Sequence, residues 1–148
     1  MQGDLYSPSL QDHAVTKTKS YNISGLFLVA FFGGIIGVTV LGIRNAQWLR
    51  LEKKLIQLLV AISVILFICK TFVVYAISTG MLNIADSNVD NIVKAFGVLC
   101  FIFYYFMLKK PFKEHLAVGG NTEVLYKQGL LWVLISVVIE VILIQMMA

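Results

Sequence analysis

Two ionisable side chains stand where charge is costly. Lys70 lies within LFICKTFVV and Glu140 within VVIEVIL, both inside long apolar runs. A charge placed in a bilayer costs at least about 2.5–3.5 kcal/mol on insertion scales, so it usually turns inward and finds a partner. If both runs cross from the same side, the two side chains fall in the same half of the membrane, with depths differing by roughly 7 Å at about 1.5 Å per residue. A lysine side chain can span that. The chemistry this allows is a proton or ion relay on Lys70 and Glu140, with Tyr75 or Tyr104 nearby. Two structural readings stand beside it. The pair fixes which helix faces meet, or each residue acts alone, Lys70 reaching toward the interface and Glu140 carrying a proton.

A second candidate is Pro111-Phe112-Lys113-Glu114-His115-Leu116-Ala117-Val118-Gly119-Gly120. Glu114 and His115 are types that do acid–base work. No serine, cysteine or second histidine completes a constellation with them, and no enzyme is expected. The plainer expectation is a short amphipathic helix on the membrane surface, closed by Gly119-Gly120. Cys69 and Cys100 sit in apolar runs and read as small core hydrophobes. No Cys/His spacing suggests a metal, and no motif implies a cofactor.

The elements that must position these residues follow from composition. The chain is 59% hydrophobic and 14% charged, with a mean hydropathy of +0.85. A soluble domain carries about 25% charged residues. Four apolar runs, at about 23–43, 55–77, 92–108 and 129–147, are each of a length to cross a bilayer. The expected fold is therefore all-α: a polytopic membrane protein with a four-helix transmembrane domain over 23–148, preceded by a flexible polar tail over 1–22. The first apolar run starts late and is too long for a signal h-region, so no cleaved leader is expected.

The first run, ISGLFLVAFFGGIIGVTVLGI, holds Gly33, Gly34 and Gly37. Small residues four apart make a notch where another helix can approach closely. Lys109, Lys110 and Pro111 are expected to close the third helix, proline being a helix stop. The loops at 44–54 and 109–128 each hold four Lys/Arg residues and the 81–91 loop holds none. The positive-inside rule then places both basic loops in the cytoplasm. With four straight crossings, both termini face outward. Lys17 and Lys19 run against this assignment. The basic residues flank membrane spans, which gives no nucleic-acid signal; the expected partners are the lipid bilayer and either a protein subunit or further copies of the chain.

Phe32-Gly33-Gly34 with Gly37 and Asn45, and the Pro-x-x-x-His-x-x-x-Gly-Gly spacing of Pro111, His115, Gly119 and Gly120, resemble segments of a group of small bacterial integral membrane proteins of no established function. Where that family often has proline after the paired glycines, this chain has Ile35. The resemblance implies a multi-pass protein of a bacterial cytoplasmic membrane and no particular activity. Three functional readings remain open. The leading one is an accessory, regulatory or immunity-type subunit acting through helix contacts. The others are a small oligomeric transporter or channel using Lys70 and Glu140, and a surface enzyme using Glu114 and His115.

Overall fold

The computed structural model describes residues 19–147; the remainder of the expected N-terminal tail lies outside the described residues. The element order is β1 (Lys19–Tyr21), α1 (Ile23–Trp48), α2 (Lys53–Ser78), α3 (Asp86–Ala117), β2 (Asn121–Glu123) and α4 (Tyr126–Met147). All four helices are long and apolar enough to cross a membrane. The protein is thus an all-helical, multi-pass type, with one short two-stranded sheet added.

The first helix is not straight. Asn22 caps it, its side chain accepting from the Ser24 amide at 3.0 Å. The helix then breaks at Gly34, whose φ of 59° and ψ of −152° lie in a region open essentially to glycine alone. The arms before and after the break, 23–33 and 35–48, fold back on each other. A Cβ added to Gly37 would sit 2.9 Å from Val29 Cγ1 of the other arm. At the open end, the Tyr21 amide donates to Asn45 Oδ1 at 2.8 Å, and the Tyr21 and Trp48 rings lie 4.7 Å apart. In a straight helix those 24 residues would separate the two ends by about 36 Å. Ile23–Trp48 is therefore a re-entrant hairpin that enters and leaves on one side.

A break within hydrocarbon is tolerated where protein covers the freed backbone groups or where they line a water-filled cavity. Here α3 and α4 cover it. Gly97 of α3 packs on the Ala30 carbonyl, and its Cβ position would be 3.1 Å from Gly34 Cα. On the other flank, Gly33 lies against Val133 of α4. The hairpin is accordingly the core of the molecule: Leu26, Ala30, Val38, Leu41 and Ala46 are fully buried.

This corrects the expected course of the first run and the side of the N-terminus. β1 and β2 pair in parallel, Lys19 beside Asn121, Ser20 beside Thr122 and Tyr21 beside Glu123. The strand before α1 and the strand between α3 and α4 therefore share one face, which four straight crossings would forbid. With α1 re-entrant, the remaining helices alternate: α2 away from the strand face, α3 back, α4 away again. Every Lys and Arg of the described residues except Lys70 and Lys94 then belongs to the strand face or to the helix ends beside it. The conflict raised by Lys19 disappears.

A second correction concerns Pro111. It lies inside α3, which runs on to Ala117 rather than stopping near Leu108. Proline removes one hydrogen bond, and at the membrane surface water can satisfy the freed carbonyl. The expected separate surface helix is the last part of α3. Its end is as expected: Gly119 has a φ of 72°, its amide donates to the Leu116 carbonyl, and the Gly120 amide donates to the His115 carbonyl. This is the Schellman arrangement that satisfies orphan carbonyls.

Candidate functional site: an ion pair at the hairpin tip

The tip of the hairpin is where the two out-of-place charges meet. Lys70 Nζ donates to Glu140 Oε1, joining α2 to α4. The Lys70 side chain is 7% exposed and that of Glu140 23%. Both abut the break in α1. A Cβ on Gly34 would fall 2.8 Å from Glu140 Oε1 and 3.6 Å from Lys70 Nζ. The site thus needs three sequence features at once: a lysine facing inward on α2, a glutamate on α4, and a residue without a side chain between them.

The surroundings suit both charges. The first arm ends at Gly33, presenting the negative, carbonyl end of its dipole toward the tip, and the second arm begins at Ile35 with its positive, amide end. Discontinuous helices whose half-helix ends face an intramembrane charge are a recurring way of holding ions in bilayers. In the half of the membrane beyond the tip only α2, α3 and α4 remain, because the hairpin stops there. They leave a small cleft of about 80 Å³ lined by Phe67, Lys70, Thr71, Val74, Val89, Val93, Glu140 and Leu143. It is large enough to admit water.

Tyr75 and Tyr104 are not the companions expected. Tyr75 is largely exposed. Tyr104 is buried deeper toward the strand face, where its hydroxyl is 3.0 Å from Ser63 Oγ and its ring fills the space left by Gly42. Ser63 Oγ is also 3.7 Å from Cys100 Sγ. Lys94 pairs with Asp90 at 2.6 Å and lies 5.3 Å from the Phe31 ring centre. Among the described residues, no group of three or more His, Cys, Asp or Glu side chains could hold a metal ion.

Comparison of the chain with protein-family models, curated proteins and solved structures finds no match. The site has to be read from its own geometry.

The candidate glycines are used within the chain. Gly33 receives α4, Gly34 makes the break, and Gly37 receives Val29 and, at 3.4 Å from its Cβ position, Ser136 Oγ. The loop motif is likewise internal. His115 is 3% exposed, and its Nε2 donates to the Asn121 carbonyl at 3.1 Å, at the start of β2. Gly120 lies against the imidazole, where a Cβ would collide with the ring. Glu114, one residue earlier, is exposed. The motif shapes the turn that delivers β2 to β1.

Sequence reasoning missed the polar base of the hairpin. Asn45 accepts from the Tyr21 amide and from Ser20 Oγ. The Tyr21 hydroxyl and Arg44 Nη1 both donate to Gln128 Oε1, tying the base to α4. Burial pushes the Tyr21 phenol above its usual value near 10, the Arg44 guanidinium pulls it back, and Glu123 adds a smaller rise. An asparagine after an apolar run and a glutamine before another give no signal that they meet.

Proposed function

We propose that the protein is a small, non-enzymatic membrane transport protein whose working centre is Lys70 with Glu140, and that it passes a proton or small ion through the cleft beyond the hairpin tip to that centre. One observation carries the reading: a paired acid and base lie at the break of a re-entrant helix, with a cleft leading to them. Ionisable residues inside a membrane are rare, face the bundle interior and mark ion pathways and proton relays. The resemblance carried by the Phe32-Gly33-Gly34 and Pro111-to-Gly120 segments supports a bacterial cytoplasmic membrane as its place. The distribution of Lys and Arg supports a cytoplasmic strand face, with the 79–85 loop and the C-terminus outside.

The test is flux in liposomes of purified protein under imposed proton and monovalent-ion gradients. Wild-type protein should show flux that falls at least tenfold in Glu140→Gln. Protein that is folded yet passes nothing under any gradient would overturn the reading.

A second reading, an accessory subunit, is favoured by the broad apolar faces that α2 and α4 turn outward, including Ile68, Phe72, Leu134 and Val138. The glycine face no longer serves it, being occupied within the chain. A stoichiometric foreign subunit after gentle purification would support this reading.

A further inference from the structure

A second cavity, larger than the cleft at the ion pair, lies elsewhere. It is a valley of about 620 Å³ between the first arm of α1 and the start of α4. It shares no residue with the cleft at the ion pair, so its occupant is independent of the transport reading. Such a volume is ordinary for a small-molecule site, about 300–1,000 Å³.

The sequence makes the valley in a simple way. Its floor is where the two helices touch: the Cβ position of Gly129 is 3.3 Å from Val29 Cγ2, and that of Gly25 is 2.8 Å from Leu125 Cδ2. Its walls are large apolar side chains that stand up from each helix, Leu28 and Phe32 on one side and Leu130 on the other. All three are more than half exposed, which leaves the valley open to the surrounding hydrocarbon. Its roof is polar, formed by Asn22, Thr122 and Glu123.

The geometry points to one phospholipid with an anionic headgroup as the occupant. Length is the first argument. From Asn22 to Gly33 the first arm descends about 16 Å at about 1.5 Å per residue. That is close to half of the roughly 30 Å hydrocarbon core, the depth of one acyl chain in one leaflet. The hairpin stops there because Gly34 turns it back, so the valley is one leaflet deep by construction. Charge is the second argument. The roof belongs to the Lys/Arg-rich face, and Glu123 is already matched by Lys19 at 3.4 Å. Lys19 remains exposed at the rim, and the exposed Lys127 follows directly on Tyr126, itself a lining residue. Basic residues beside the membrane attract anionic headgroups. The acyl chain fills the valley and the phosphate rests at the rim near Lys19 and Lys127.

The test is native mass spectrometry of the whole chain released from nanodiscs of mixed phosphatidylglycerol and phosphatidylethanolamine, with the lipid retained after detergent washing measured by extraction. One phosphatidylglycerol per chain should resist washing that strips the annular lipid. Leu28→Trp and Leu130→Trp, from opposite walls, should each lower retention at least tenfold while elution and helix content stay unchanged. Lys19→Gln with Lys127→Gln should keep a lipid bound and erase the preference for phosphatidylglycerol. No retained phospholipid, retention indifferent to both tryptophans, equal retention of the two lipids by the wild type, or a polypeptide held in place of lipid would each overturn the assignment.

Discussion

Asn45, near the end of the first apolar helix, holds the backbone amide of Tyr21, which precedes the start of that helix, at 2.8 Å. This bond joins the two feet of a re-entrant hairpin and puts both on one membrane face. It makes the parallel pairing of β1 with β2 possible, since the second strand follows two full crossings by α2 and α3. Cysteines at Lys19 and Asn121, aligned in the strand register, should therefore be joined by a short bifunctional reagent in a background lacking Cys69 and Cys100. Efficient linkage in intact membranes is expected. With four straight crossings the two positions would face opposite compartments, and no linkage would form.

Removing the amide at the base should loosen the hairpin. Asn45 is fully buried and accepts from both Ser20 and Tyr21. Asn45→Ala leaves a buried amide without its acceptor, at about 1–3 kcal/mol. Thermal unfolding in detergent should show the loss, and the Lys19–Asn121 linkage should weaken with it. An unchanged melting temperature would mean that the base is held by the rings of Tyr21 and Trp48 instead.

The break itself is testable at Gly34. Its backbone conformation costs any other residue about 1–3 kcal/mol. A Cβ there would also press on Glu140 Oε1. Gly34→Ala should therefore destabilise more than Gly33→Ala, which meets Val133 of α4 at 3.0 Å but carries no positive φ. Equal effects at the two glycines would argue against a sharp reversal at 34.

The ion pair predicts a strongly non-additive cycle. Glu140→Leu leaves Lys70 buried against the hairpin tip without its partner, and breaking a buried pair costs about 3–5 kcal/mol. Adding Lys70→Met should restore most of that stability, because an apolar pair of similar size needs no compensating charge. Unfolding midpoints of the two single variants and the double variant give the coupling directly. Additive losses would show that the two residues act separately. The double variant also separates stability from transport: it should be folded and inactive.

Legibility in the sequence differs sharply among these residues. Lys70 and Glu140 are conspicuous because charge is rare in apolar runs, and Gly119 marks a helix end because left-handed turns favour glycine. Gly34 is not distinguishable from Gly33 or Gly37, since nothing local says which glycine adopts a positive φ. The length of the first run fits a span equally well whether the helix is straight or folded, because length measures contour and not direction. Long-range contacts decide between them: Tyr21 with Asn45, Val29 with Gly37, and β1 with β2. Pro111 misleads for a related reason: a missing amide kinks or weakens a helix, and whether the helix continues depends on what surrounds the freed carbonyl rather than on the proline itself.

The loop motif supplies the last prediction, and it separates support from catalysis. His115 is buried, donates from Nε2 to the Asn121 carbonyl, and has Gly120 pressed on its ring. Gly120→Ala should displace the imidazole without changing any group able to do chemistry. If His115 serves to hold the turn, Gly120→Ala and His115→Ala should both weaken the Lys19–Asn121 linkage, by about a factor of two or more, and lower the melting temperature together. His115→Asn, which keeps a side-chain donor, should recover part of both. A histidine that acted as a proton carrier would give the opposite pattern, with linkage intact in His115→Ala and no recovery of function by asparagine. Shared loss of linkage and partial rescue by asparagine is the expected outcome, because the bond that His115 donates ends in the turn that carries β2.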